Sequence, residues 1–255
     1  MELYAYERRR WLVDQARQTG RIDVADVARE LTVAKETVRR DLTALESEGL
    51  LRRVHGGAIP VERHGFEGTL TLRNNSRADE KGRIADYAIG LVGTAESVYI
   101  DEGSTTQAFA ERLHPRRPLT VVTNSVPAAM LMAPREHVTV ILIGGRVRAK
   151  TLGTIDHWAI RMLEDFVFDL SVIGTNGLTV ERGLTCPDAG VAAVKARAVT
   201  SSRRSVLLTD GSKIGADSSY RFAQVRDLST IVTDRSASDG QLRRLRTLGV
   251  EAVVV

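Results

Sequence analysis

Residues 33–58 read VAKETVRRDLTALESEGLLRRVHGGA, and this stretch decides the fold of the first part of the chain. At about 100° per residue, Val38, Leu42 and Leu45 gather on one arc of a helix. Lys35, Glu36, Arg39, Arg40 and Thr43 fall on the opposite arc, so one face suits a core and the other a polyanion. Gly49 stands where a helix stops with positive φ. Arg52, Arg53 and His55 then lead into Gly56-Gly57, a tight turn that carries basic groups along a second surface, in the manner of a wing. Upstream, Asp23 is placed to cap a helix that buries Val24, Val27, Ala28 and Leu31. The connection Thr32-Val33-Ala34 has the length of a helix-turn-helix turn. On periodicity alone, an ordinary helical hairpin with a solvated charged face remains the alternative.

The 255 residues fit one large or two modest domains, and 43% hydrophobic with 27% charged residues describes a soluble globular chain. No apolar run approaches the length of a membrane span, and MELYAYERRRWL lacks the apolar segment of a secretory signal. The single cysteine, Cys186, permits no intrachain disulfide, which fits a reducing cytoplasm; its side chain is expected to be a small loop hydrophobe. Residues 1–60 hold 11 basic and 10 acidic residues, only +1 of the chain's net +4. Affinity for a polyanion must therefore come from where Lys35, Arg39, Arg40, Arg52 and Arg53 point, not from bulk charge.

Three segments are expected: residues 1–58 as a compact helical unit ending in the wing, 59–77 as a linker, and 78–255 as a larger domain. The linker is punctuated by Pro60, Gly65, Gly68, Asn74, Asn75 and Ser76, with Phe66, Leu70 and Leu72 as its few apolar anchors. Helical periodicity returns at ADEKGRIADYAIGLV, after which β-branched runs alternate with helix-like segments to the end of the chain. That alternation predicts a Rossmann-like α/β domain with a mostly parallel sheet covered on both faces.

In such sheets ligands gather at the carboxyl ends of the strands, and five consecutive ends here carry glycine or small polar residues. VYIDEGSTTQAFAERL is a strand, then the Asp101-Glu102-Gly103-Ser104-Thr105-Thr106 turn, then a helix; hydroxyls beside free amides at a helix N-terminus suit a phosphate. Thr123, Asn124 and Ser125 make a second end, Gly144-Gly145 a third, Gly174, Asn176 and Gly177 a fourth, and Asp210, Ser212 and Lys213 a fifth. A Ser/Thr-rich turn alone is usually just a helix cap; the convergence of five is what points to a site.

These residues resemble two parts of one family. Glu7 to Arg9, Gly20 to Val24, Val33, Thr37, Arg39-Arg40-Asp41-Leu42, Leu45-Glu46, Gly49 and Val54 to Ala58 look like the N-terminal domain of DeoR-family bacterial transcriptional regulators. The strand ends, with Glu80-Lys81, resemble that family's effector domain, whose fold is similar to ribose-5-phosphate isomerase. The resemblance implies a winged helix-turn-helix that reads double-stranded operator DNA through Lys35, Glu36, Thr37, Arg39, Arg40, Thr43, Arg52, Arg53, His55, Gly56 and Gly57. It implies a phosphorylated sugar held by Asp101, Gly103, Ser104, Thr105, Thr106, Thr123, Asn124, Gly144, Gly145, Asn176, Lys195 and Lys213. A fructose phosphate is the first sugar to test, and a homodimer or homotetramer is the expected assembly. Three positions depart from the pattern. Ala34 stands where a capping Ser or Thr is usual, Val191 where an acidic residue is expected near Lys195, and Cys186 where Thr is more frequent.

No phosphate-loop, dinucleotide-binding, zinc-protease or nucleophile-elbow motif occurs in the sequence. The five histidines, His55, His64, His114, His137 and His157, have no ligand spacing. The resemblance implies a repressor of carbohydrate genes, and no catalytic residues, metal or cofactor are expected. A sugar-phosphate isomerase-like enzyme and a DNA-binding regulator without any effector are the alternatives.

Overall fold

The computed structural model describes residues 4–48, 50–60 and 70–255. Gly49, expected to end a helix, and His64, Gly65, Phe66 and Gly68 of the expected linker lie outside the described residues. The chain divides into two compact units, Met1–Leu72 and Arg73–Val255.

The first unit runs α1 (Ala5–Thr19), β1 (Ile22–Asp23), α2 (Val24–Glu30), α3 (Lys35–Ser47), β2 (Leu51–Val54) and β3 (Gly57–Pro60). Its strands form an antiparallel sheet in the order β1-β3-β2. Asp23 caps α2 by accepting from the Ala25 amide at 2.7 Å, as its position predicts. Val38, Leu42 and Leu45 of α3 pack with Leu12 and Ala16 of α1 and with Val27, Leu31 and Leu51. A buried carboxylate tightens this core: Asp41 on α3 accepts from Arg8 Nε at 2.5 Å and Arg9 Nε at 3.0 Å. Unpaired, such a charge would cost several kcal/mol; paired, it fixes how α1 crosses α3.

The second unit begins within α4 (Leu70–Asn75) and continues through α5 (Ala78–Val92), β4 (Ser97–Ile100), α6 (Ser104–Arg112), β5 (Leu119–Thr123), α7 (Val126–Met132) and β6 (Val138–Leu142). There follow β7 (Arg146–Val147), β8 (Thr154–Ile155), α8 (His157–Glu164), β9 (Leu170–Ile173), β10 (Gly177–Thr179), β11 (Gly183–Cys186) and α9 (Ala189–Thr200). The chain ends with β12 (Ser205–Leu208), β13 (Tyr220–Ala223), β14 (Thr230–Thr233), α10 (Asp239–Arg246) and β15 (Glu251–Val254). Seven strands make one parallel sheet in the order β15-β14-β12-β9-β4-β5-β6. Alternate residues feed two cores. Tyr99, Val122, Ile173, Leu207 and Ile231 face α8, α9 and α10, while Val98, Ile100, Val121, Val172, Val206 and Val232 face α5, α6 and α7. Both faces are covered, as the near-continuous apolar strands require. Among the described residues no helix is long and apolar enough to cross a membrane.

Three local expectations are corrected. Residues 70–75 are helical, where an irregular linker is expected. A small antiparallel sheet, β10-β11-β13, and the β7-β8 ribbon are additions; β7, β8 and β10 hold only two or three residues each, too few for a period-2 signal. Cys186 lies not in a loop but on β11, fully buried in the core, and burial pushes its thiol up to about 11.

Ala34 occupies the cap of α3 in extended conformation and offers no side-chain acceptor to the first turn. Replacing Ala34 by Ser should stabilise the first unit by about 1 kcal/mol, read as a higher urea midpoint of its unfolding. An unchanged or lower midpoint would show that the helix start is already satisfied.

Candidate functional site

On the first unit, α3 presents Lys35, Glu36, Arg39, Arg40 and Thr43 to solvent. Glu36, Arg39, Arg40, Thr43 and Arg53 line one shallow groove. Arg39 leans on Glu36 at 3.3 Å, an exposed i,i+3 pair worth a few tenths of a kcal/mol and readily given up to a phosphate. Arg53 donates to the Thr43 hydroxyl at 3.1 Å, and its amide donates to Glu46 at 2.9 Å, so β2 is pinned to α3 with a cation between them. Thr37 is half-buried in the first turn of α3, its amide on the Ala34 carbonyl at 2.9 Å. Successive strand residues alternate faces, which sends Arg52 to the side opposite Arg53. His55 and Gly56 form the exposed hairpin turn, held by Arg21 on the His55 carbonyl at 2.9 Å. Gly57 is different: it is buried, and a Cβ there would sit 1.9 Å from the Ile22 carbonyl oxygen. Only glycine lets β3 pair with β1, so Gly57 shapes the wing rather than presenting a side chain.

On the second unit the sheet reverses its winding at β4, with β5 on one side and β9 on the other. The carboxyl end of the strand at such a switch point is where a crevice forms, and Asp101 stands there with 0% exposure. Lys195, reaching from α9 and only 3% exposed, donates to Asp101 Oδ2 and, at 3.1 Å, to the Gly174 carbonyl. The Gly174 amide donates to the same Oδ2 at 2.9 Å. Lys195 is thus a buried partner of Asp101, not a solvent-exposed lysine. Asp101 Oδ1 has no hydrogen-bond partner, nor has Oε2 of the neighbouring Glu102. Burial raises the Glu102 carboxyl above the ordinary carboxylate range; Lys195 opposes the shift and Asp101 adds to it.

Thr123 and Asn124, at the end of β5, hold the loop above this pair. Thr123 donates to the Ile100 carbonyl at 2.6 Å. Asn124 Oδ1 accepts from the Tyr99 hydroxyl at 2.9 Å and the Glu102 amide at 3.1 Å. Ser104, Thr105 and Thr106 are buried at the N-terminus of α6, after Gly103 at its cap. The Arg73 guanidinium lies 3.6 Å from where a Cβ on Gly103 would be. Beyond it, Lys81 donates to the carbonyls of Arg73 and Ser76. Burial lowers Lys81 to about 8; Asp210 opposes this, while Arg73, Lys213 and Arg77 reinforce it. Arg77 approaches Asp210 at 3.7 Å, and Lys213 closes the short turn that follows Asp210. Arg73 therefore places a cation beside the N-terminus of α6, with Lys81, Arg77 and Lys213 gathered around Asp210 behind it.

Gly144, Gly145 and Asn176 each make a structural contact. Gly145 backs onto β8, where a Cβ would lie 2.3 Å from the Ile155 carbonyl oxygen, so it enables the β7-β8 pairing. The Gly144 amide points at Met162 Sδ, 3.2 Å away. Asn176 is half-buried and contributes its amide to the Thr185 carbonyl at 3.1 Å. Val191 is buried in the core, its amide on the capping carboxylate of Asp188 at 3.0 Å. The carboxylates near Lys195 come instead from Asp101 and Glu102, so the site is not short of acidic groups. Sequence reasoning missed Glu102, Arg73 and Arg77. Glu102 adjoins a motif already singled out, but Arg73 and Arg77 lie in a stretch with no periodic signal.

A winged helix-turn-helix followed by an α/β sensor unit defines a two-domain transcriptional regulator. Residues 8–64 match the model of the DeoR-like helix-turn-helix domain, and residues 76–235 match that of the DeoR C-terminal sensor domain. The chain belongs to the DeoR family of transcriptional regulators. It is 33% identical to the HTH-type transcriptional regulator GlpR of Haloferax volcanii, across 97% of this chain and 96% of that protein. It is 29% identical to the HTH-type transcriptional repressor GlcR of Bacillus subtilis, across 99% and 97%. Among solved structures, ribose 5-phosphate isomerase A of Methanocaldococcus jannaschii overlaps 54% of this chain and 55% of its own, with 19% identity and a TM-score of 0.41.

The raised carboxyl of Glu102 has a consequence for stability. Its native pKa lies above the unfolded value, so any stabilisation is full below the ordinary glutamate range and is lost as pH rises through the native value. Glu102→Gln removes that loss. The stability gap between variant and wild type should move in favour of the variant as pH rises from about 4.5, measured by urea unfolding at several pH values. A gap that stays flat, or moves the other way, would mean that Glu102 is ionised without penalty.

Proposed function

We propose that this regulator is a repressor of carbohydrate-metabolism genes whose operator affinity is set by a phosphorylated sugar. It binds double-stranded DNA as a homodimer or homotetramer and has no enzymatic role. The observation that carries the reading is the cationic region around the N-terminus of α6. There Arg73 lies beside Gly103 at the cap of α6, with Lys81 and Lys213 behind it, and the turn brings buried Ser104, Thr105 and Thr106 close in sequence to carboxylate oxygens of Asp101 and Glu102 that lack partners. Helix-end amides, hydroxyls and cations bind a phosphate; carboxylates with free lone pairs accept from sugar hydroxyls. A ligand that favours one arrangement of the protein shifts DNA affinity by its differential binding energy.

A sugar-phosphate isomerase is the second reading, because Glu102 offers a buried carboxyl of raised proton affinity where a general base would serve. The groove between α3 and β2 speaks against it, since an isomerase has no use for such a surface. Incubating the protein with fructose 6-phosphate and following it by NMR should show no turnover; conversion would establish the isomerase reading.

On DNA, the exposed arginines of α3 decide. Arg39→Ala and Arg40→Ala should each weaken operator binding, by about 1–3 kcal/mol where the contact reads a base. A lost phosphate contact would instead reduce the salt slope. Thermal unfolding should be unchanged. Full operator protection in footprints of both variants would remove α3 from the interface.

For the effector, calorimetry with fructose 1-phosphate and fructose 6-phosphate is the direct test. Lys213→Ala, or Ser104→Val with Thr105→Val, should abolish binding while operator affinity without ligand survives. Free fructose should be inert toward the wild type. Affinity for the phosphosugar should fall as pH rises through about 8, where Lys81 loses its proton. Free fructose binding as tightly as its phosphates would remove the basis of the site.

A further inference from the structure

The parallel sheet has two open edges, and the chain treats them differently. At β15 the edge is guarded by charge: Glu251 is exposed on the strand, and Arg246 of α10 donates to the Ala252 carbonyl at 2.7 Å. Arg243 and Arg244 add two more cations on the same helix. Charged side chains and covered carbonyls are how proteins prevent an edge from meeting another chain.

At β6 there is no such guard. Neither β6 nor α7 carries a charged residue. The helices on the two faces bring exposed apolar side chains to this edge. α7 lies on one face, with Ala128 and Met132 in the core and Met130 73% exposed. α8 lies on the other, with Ala159 and Leu163 in the core and Trp158 63% exposed. Leu142 at the end of β6, Val147 of β7 and Met162 of α8 are exposed between them. Bonds across the region tie these elements together: the Gly144 amide meets Met162 Sδ at 3.2 Å, and Arg146 on β7 pairs with Asp156 before α8 at 2.9 Å. The ring of His157 packs 4.6 Å from that of Trp158. Exposed apolar side chains gathered around one sheet edge mark an interaction site.

We propose that the β6 edge, with the outer sides of α7 and α8, is the surface on which a second copy of this chain docks. The proposal rests on the reading above that the regulator binds DNA as an oligomer. A helix-turn-helix reads half of a symmetric site, so a second copy is the partner that DNA recognition demands. The charges around the patch fit that occupant. Arg146 pairs with Asp156, and Arg161 pairs with Glu164 at 2.8 Å, so both signs border the apolar centre. A twofold contact sets a patch against itself; a rim of mixed sign complements itself, whereas a rim of one sign would repel its copy. Tryptophan and methionine are prominent among the exposed side chains, as in an assembly core.

The test is the mass of the full chain in solution by light scattering after size exclusion, with operator affinity alongside. The wild type should be a dimer or larger. Trp158→Glu combined with Leu142→Arg should yield a smaller, folded species whose operator affinity is at least tenfold weaker. Trp158→Ser alone should give a concentration-dependent mixture, and Tyr87→Glu, exposed on α5, should leave the mass unchanged. A wild type that is monomeric at micromolar concentration overturns the proposal. So does an assembly that survives the double substitution, even if operator binding and its response to phosphosugars are intact. Loss of operator binding in the assembled wild type would count against the DNA reading and leave the mass result to decide the surface.

Discussion

The sensor unit depends on one buried ion pair. Asp101 and Lys195 are both nearly free of solvent contact, and taking two charges out of water costs several kcal/mol for each ion. The pair persists because Gly174 supplies an amide to the carboxylate and a carbonyl to the ammonium. Three elements are thereby fixed relative to one another: the end of β4, the end of β9 and the middle of α9. All three meet where the sheet reverses its winding, the place where ligands gather in open parallel sheets. The unpartnered oxygens of Asp101 and Glu102 follow from the same geometry. Buried acceptors without donors are costly to leave in this condition; in the function proposed above, sugar hydroxyls would be the donors they lack.

The two units solve the problem of charge in different ways. In the first, Asp41 is buried and paired with Arg8 and Arg9, which consumes two cations for packing. Of the exposed cations of α3 and the wing, Arg39, Arg40 and Arg53 share one groove, so placement rather than net charge concentrates them. In the second, the cations are drawn inward. Lys81 bonds two carbonyls near the end of α4, where the negative end of a helix dipole stabilises a cation, and burial still brings it to about 8.

Much of this architecture was legible in the sequence. The apolar and basic arcs of α3 were visible because helical spacing separates Val38, Leu42 and Leu45 from Arg39 and Arg40. The strands at 97–100, 170–173 and 205–208 were visible because they are short apolar runs bounded by turn residues. What escaped notice has a physical reason in each case. β7, β8 and β10 hold two or three residues, too few for any period to register. Helix α4 sits among Asn and Ser residues that favour turns, so neither it nor Arg73 and Arg77 announced themselves. Glu102 lay in plain sight beside Asp101, but nothing local distinguishes a buried carboxylate from a solvated one. Val191 misled in the opposite sense: its helix turns that position toward the core, and the acid it was expected to supply arrives from β4.

The central claim is that a phosphorylated sugar bound in the second unit changes the DNA affinity of the first. Fluorescence anisotropy measures this directly, using the full chain and a duplex selected by the protein from a random library, at fixed salt. Fructose 1-phosphate or fructose 6-phosphate at saturation should change the Kd for that duplex by fivefold or more, and fructose itself should not. A Kd that no phosphosugar moves, from a protein that binds the selected duplex tightly, would contradict the account.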